Sequence, residues 1–214
     1  MKRFMQFRGE KVDISGVIII TEFKNGSLEL IVKKYLKNEG KGTEKLNPTI
    51  RSKIIFRVAA IMKRIRRHNL IHKLINLENI YLDDNLEPRI AYFGFNRMMI
   101  FDTVNLMMSN KTPFNLAPEV IEVDFTYDTS IDVYAFAFLI YKMFSNKVEF
   151  DAEKPIKTKF QFLNKISRGL RPKRPESISD AYWELINNCW KHYQGDRMTF
   201  DEITDELKKD IYAI

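Results

Sequence analysis

His72-Lys73-Leu74-Ile75-Asn76-Leu77-Glu78-Asn79 is the stretch on which this chain turns, because it joins a segment of helical periodicity to one of extended character. On its N-terminal side Ile50, Ile54, Val58, Ile61, Met62 and Ile65 recur at the spacing of one helix face. Asn47-Pro48 stands just before them. An asparagine oxygen suits the cap position and a proline suits the first turn, so the pattern predicts a long amphipathic helix. On the C-terminal side, Asn79 to Leu82 and Arg89 to Tyr92 are short extended pieces separated by Asp83-Asp84-Asn85, which predicts a hairpin.

Further out, Val17-Ile18-Ile19-Ile20-Thr21 is a β-branched run ended by the turn dipeptide Asn25-Gly26, the pattern of a buried strand and a reversal. Val133 to Phe144 is apolar on nearly every face, which predicts a helix through the centre of the molecule. Two amphipathic helices, about Asp180 to Trp190 and Phe200 to Lys209, follow. A few strands and then mostly helices give an α+β architecture, mainly α, with a small β element at one end.

A chain of 214 residues with 45% hydrophobic and 13% aromatic content builds one sizeable core and is short for two domains. The net charge of +7 is concentrated in two clusters, Lys63, Arg64, Arg66, Arg67 and His68, and Arg168, Arg171, Lys173 and Arg174. No nucleic-acid motif accompanies either cluster, so both are read as solvated basic faces and no nucleic-acid partner is expected. The single cysteine, Cys189, lies among apolar residues and cannot form an internal disulfide, which fits a reducing compartment. The longest apolar run falls well short of the roughly 20 residues of a membrane-spanning helix. A cytoplasmic protein without a membrane partner is expected.

The stretch from His72 to Asn79 resembles, in spacing, the catalytic loop H-R-D-L-x-x-x-N of protein kinases. Tyr92-Phe93-Gly94 then stands in the place of D-F-G, and Ala117-Pro118-Glu119 in the place of A-P-E. Asp132-Val133-Tyr134-Ala135-Phe136 resembles the start of the family's buried central helix. Cys189-Trp190 with Arg197-Met198-Thr199-Phe200 resembles the closing block of its tyrosine-kinase-like members. Upstream, Thr21 to Leu28 is similar to the hinge, with Thr21 at the gatekeeper position. The resemblance implies a single kinase-like domain. It further implies that residues 1–23 are a remnant of the small β lobe with the hinge strand and that 24–214 are the helical C-terminal lobe.

The same resemblance assigns roles. Thr21, Glu22 and Lys24 border a base, Asn79 faces magnesium or holds a turn, and Tyr81 occupies the floor of the adenine site. His72 and Phe93 stack into a core spine, with Gly94 beside them. Glu119 and Arg197 form a buried ion pair, and Asp132 caps the central helix and accepts hydrogen bonds from the catalytic loop. The departures fall on the chemistry, because phosphoryl transfer relies on an acid that orients the acceptor hydroxyl and another that holds magnesium. Leu74 stands where the first acid belongs, Tyr92 where the second belongs, and Asn76 where a lysine is usual. Nothing before the hinge resembles a G-x-G-x-x-G loop or the V-A-I-K strand, and the first strands and the regulatory helix are expected to be missing.

Two expectations follow. The first is a kinase-fold pseudoenzyme, a catalytically inactive pseudokinase that binds or scaffolds a protein partner, with no cofactor and no metal. The alternative is a divergent serine/threonine or tyrosine kinase, completed by preceding sequence and using ATP and magnesium.

Overall fold

The computed structural model describes residues 26–37, 46–91, 115–121, 128–145, 147–150 and 158–212. The strand expected over 17–21, the hinge residues Thr21, Glu22 and Lys24, and Tyr92, Phe93 and Gly94 lie outside the described residues. Those described form helices α1 (Leu28–Lys37) and α2 (Pro48–Arg66), strands β1 (Ile80–Leu82) and β2 (Pro88–Ile90), and helices α3 (Ser130–Phe144), α4 (Lys159–Ser167), α5 (Asp180–Cys189) and α6 (Phe200–Tyr212). The mainly helical α+β class expected from the sequence is the one observed. No helix among the described residues is long and apolar enough to cross a membrane.

The helix expected after Asn47-Pro48 is α2. The Asn47 Oδ1 accepts the Ile50 N–H at 2.9 Å, and Pro48 occupies the first turn, where it has no N–H to leave unpaired. The buried side chains Ile54, Ile55, Val58, Ala59 and Met62 face the core, and α2 packs along α6. In the basic cluster at its C-terminal end Arg64, Arg67 and His68 are exposed, as the sequence implies, and Lys63 and Arg66 are half-buried. Lys63, Arg66 and Arg67 converge on Asp201 of α6, at 3.1, 2.9 and 3.8 Å. The second cluster is similarly engaged. Arg171 donates to the carbonyls of Ile166, Leu170 and Trp190, and Arg174 donates to Ile178 O.

Helix α3 is buried along its whole length except at Ser130 and Lys142, as its unbroken apolar character predicts. Its aromatic side chains tie the lobe together: Phe136 meets Phe200 at 5.5 Å between ring centres, and Phe138 meets Trp190 at 5.4 Å. Such edge-on and tilted contacts add about 0.5–1.5 kcal/mol to what burial supplies. Cys189 is fully buried here, and burial pushes its thiol well above the ordinary value. Helices α1 and α4, with ten and nine residues, are too short for periodicity to single out.

The hairpin pairs Ile80 with Ile90, Tyr81 with Arg89 and Leu82 with Pro88, antiparallel. Pro88 takes the end of its strand, where a missing N–H costs little. Ile80 and Leu82 point into the core, so Tyr81 between them faces the other way. Ser27 forms a bridge to the free edge of β1 at Tyr81, which brings the segment entering α1 beside the hairpin.

Candidate active site

The segment from His72 to Asn79 leaves the end of α2 and is fixed from below by one carboxylate. Asp132, in the first turn of α3, accepts the His72 N–H at Oδ2 and the Lys73 N–H at Oδ1, both at 2.7 Å. Lys73 has a φ of 67°, a left-handed conformation that turns consecutive N–H groups toward the same acceptor. Two hydrogen bonds of this length offset the strain of one left-handed residue, which is of order 1–2 kcal/mol. The expectation that Asp132 also caps α3 is corrected. The cap position is Thr129, with no side-chain cap bond, and Asp132 lies inside the helix with both oxygens turned to the loop. A cap must sit one residue before the first turn, and Asp132 is already in it.

Burial pushes the Asp132 carboxyl up to about 7, against the two loop N–H groups and the charge of Lys73, which hold it down. The folded value lies above the reference value of 3.8, so this group's contribution to stability is fully present below pH 4 and is lost as pH rises through about 7. The gap in unfolding temperature between the wild-type protein and D132N is therefore expected to shift steadily against the wild type from pH 4.5 to about 7.5. A gap that stays constant over that range in a thermal-melt series would disprove it.

His72 is fully buried, and its ring bonds fix its tautomer. Nδ1 accepts the Leu74 N–H at 3.2 Å, so the proton is on Nε2, which donates to Ala91 O at 3.0 Å. Burial lowers its pKa, only partly offset by the Ala91 carbonyl, and the ring is neutral. The imidazole thus links the loop to the end of β2. Asn76 closes the next turn, its Oδ1 accepting the Asn79 N–H at 2.9 Å. That commitment makes Asn76 the cap of the Leu77–Asn79 turn, a role that the loop's spacing does not reveal. Asn79 in turn donates from Nδ2 to Leu74 O at 2.8 Å, while its Oδ1 accepts no hydrogen bond among the described residues. Leu74 is half-buried and supplies only its backbone to this network. Tyr81, on the hairpin face turned from the core, is half-buried, between Ser27 on one side and Arg89 on the other.

Away from the loop, Arg197 and Glu119 form a fork-to-fork pair at 2.6 and 2.7 Å. The guanidinium is completely buried. Its remaining donors reach Lys191 O, Ser130 O and His192 O, so all five N–H groups are used. The Tyr134 ring lies 5.0 Å from this guanidinium and 5.2 Å from that of Arg171. Burial, only partly offset by these two cations, pushes the Tyr134 hydroxyl up to about 12. A broad depression of about 600 Å³ opens beside Arg197, lined by Asn188 of α5, by residues of the 191–198 segment and by one face of α6, and no residue of the His72–Asn79 loop lines it. The structure brings together His72, Leu74, Asn76, Asn79 and Asp132 in one network, and Glu119 with Arg197 in another. Asp201, whose cationic partners are Lys63 and Arg66 of α2 and Arg67 just after it, is a joint that no sequence motif marks.

Magnesium, which resemblance to a kinase implies, prefers near-octahedral oxygen ligands with one or two carboxylates. Among the described residues no three His, Cys, Asp or Glu side chains stand together for a metal ion, and Asn79 offers one neutral oxygen. The described residues do not by themselves fit a resident ion.

The family to which this chain is matched and its individual relatives agree. A model of the protein tyrosine and serine/threonine kinase family matches residues 2–207. Serine/threonine-protein kinase STY46 of Arabidopsis thaliana is 28% identical over 97% of this chain and 34% of its own length. Cytoplasmic tyrosine-protein kinase BMX of Mus musculus is 28% identical over 90% of this chain and 28% of its own. The dual serine/threonine and tyrosine protein kinase of Gallus gallus is 29% identical over 88% of this chain and 20% of its own. The chain spans about a third or less of the length of these curated relatives. Their names correct the expectation that the chain is not an enzyme, since each is named as a protein kinase. The substitutions at Leu74 and Tyr92 are departures within a family of kinases, and on their own they do not decide activity.

Proposed function

Since the chain belongs to the protein tyrosine and serine/threonine kinase family, we propose that it is the large lobe of a divergent protein kinase that moves the terminal phosphoryl group of ATP slowly onto a protein hydroxyl. The observation that carries this reading is the ordered loop from His72 to Asn79. It is held at Asp132 by two N–H groups and closed on itself by Asn79 Nδ2 at Leu74 O. Phosphoryl transfer has a loose transition state with little covalent work for the protein, so positioning and electrostatics supply most of the acceleration. A loop that keeps its backbone geometry while lacking the proton acceptor at Leu74 keeps the positioning and loses general-base assistance.

Each residue then has a limited task. Asp132 and His72 hold the loop backbone, Asn76 fixes its closing turn, and Asn79 presents an uncommitted carboxamide oxygen toward the nucleotide's phosphate end. The nucleotide is a substrate, with magnesium arriving on it, and no resident cofactor belongs to the reading. The acceptor is the protein partner, and the cytoplasm supplies the ATP.

Radiolabelled ATP and magnesium with the full-length protein and a mixed Ser/Thr/Tyr polypeptide acceptor provide the test. Slow incorporation is expected, reduced at least tenfold by Asn79→Ala. Incorporation no greater than that of a heat-inactivated control, from protein that melts cooperatively, would overturn the proposal.

A further inference from the structure

Arg51, near the start of α2, is a cation set among aromatic rings. Its guanidinium lies 4.7 Å from the ring centre of Phe144 at the end of α3 and 5.3 Å from that of Tyr35 in the last turn of α1. The Phe144 ring in turn meets Tyr182 of α5 at 4.9 Å. Of the five donors a guanidinium carries, Nη1 reaches Met143 O at 3.3 Å and the buried Nε has no acceptor. Attraction to ring faces is weaker than pairing with an anion, so this cation is poorly compensated for its loss of water.

What stands around it is hydroxyl and not carboxylate. Burial lowers the Arg51 pKa, and among the described residues the groups that work against that burial are the phenols of Tyr35 and Tyr182. The two differ in access. Tyr182 is buried, whereas Tyr35 is half-buried and belongs to the last turn of a ten-residue helix, the part of a helix that opens at least cost. The rest of α1 is basic: Lys33, Lys34 and Lys37 are exposed, and its one acid, Glu29, is paired with Lys33 at 2.9 Å.

A phosphorylated tyrosine carries nearly two negative charges and three acceptor oxygens at neutral pH, and the planar guanidinium fork matches that group. The Tyr35 ring is already stacked on Arg51, so a phosphate on its hydroxyl comes within reach of the guanidinium through side-chain rotation alone. We propose that Tyr35 is a phosphorylation site and that Arg51 receives its phosphate, fastening α1 to the start of α2. The donor is ATP and the catalyst a separate protein tyrosine kinase. The phenol oxygen bonds to the γ-phosphorus as the bond from that phosphorus to ADP breaks, and the phenol proton passes to solvent. Helix α1 borders β1 and the Leu77–Asn79 turn, so the fastening steadies one edge of the candidate active site. The modification is separate from the catalytic loop and holds whether or not that loop transfers phosphate.

The test has two arms. In the first, the full chain is treated with ATP, magnesium and an added broad-specificity tyrosine kinase, and peptide mass spectrometry is expected to find phosphate on Tyr35. In the second, the full chain carries phosphotyrosine at position 35 alone, introduced by amber suppression. Its melting temperature is expected to rise by at least about 3 °C over that of the unmodified protein. Its second phosphate ionisation, followed by phosphorus NMR, is expected to fall by about half a unit or more below the ordinary value of about 6. Arg51→Gln is expected to abolish both shifts, each measured against the same variant without phosphate. Arg51→Lys, which keeps the charge and loses the fork, is expected to reduce them. No phosphate on Tyr35, a phosphoprotein that melts at or below the unmodified one, or shifts that survive Arg51→Gln undiminished would each overturn the proposal.

Discussion

Replacing Glu119 with alanine is expected to lower stability by about 3–5 kcal/mol, the cost of leaving a buried charge without its partner. Arg197 is completely buried, and Glu119 takes two of its five donors at 2.6 and 2.7 Å. The other three donors go to fixed carbonyls, so the guanidinium cannot swing out to water when the carboxylate is removed. For a domain of this size each kcal/mol moves the melting temperature by roughly 2–4 °C, which makes the expected fall at least about 6 °C. Arg197→Ala should cost a similar amount, and the double variant much less than the sum, with a coupling of about 1 kcal/mol or more. Additive losses in chemical-denaturation curves would mean that the pair is not the joint the geometry indicates.

The second large effect concerns rate. Leu74→Asp is expected to raise phosphoryl transfer by the full-length protein by roughly 10²–10⁴-fold, the usual value of a well-placed general base. Leu74 is half-buried and contributes only its backbone to the loop, through its N–H to His72 and its carbonyl from Asn79. A carboxylate there therefore replaces an apolar side chain without removing any bond that holds the loop. The gain should appear in kcat with little change in KM for ATP, because the new group acts on the acceptor hydroxyl. An unchanged rate, with melting temperature also unchanged, would show that the loop does not hold the acceptor in line and would remove the main support for the kinase reading.

Much of the fold is legible locally. Asn47-Pro48 followed by a helical stripe marks where α2 starts, and the unbroken apolar run of α3 marks the helix that everything else packs around. The hairpin is readable because Asp83-Asp84-Asn85 has one common use between two extended pieces. What could not be read depends on partners distant in sequence. Asp132 looks like a capping residue because its neighbours are helical, yet its acceptors serve N–H groups about sixty positions earlier. The cluster from Lys63 to His68 stays largely solvated, yet nothing local shows that Lys63 and Arg66 pair with Asp201. Leu86 carries no sign that its backbone is left-handed, since that is imposed by Asp83 and not by its own preference. Motif spacing located the candidate site, whereas the chemistry missing from Leu74 and Tyr92 said less about activity than the names of the relatives do.

The Arg197–Glu119 joint also bears on the order in which the molecule assembles. Its partners are 78 residues apart, so the chain must close a long loop before the pair can form. If the pair closes after the transition state, once the helices it connects have packed, it has a low φ-value. A latch that closes last does little to speed folding and acts chiefly by slowing escape from the native state. Such a pair lengthens the lifetime of the folded lobe, a property distinct from the equilibrium stability it also supplies.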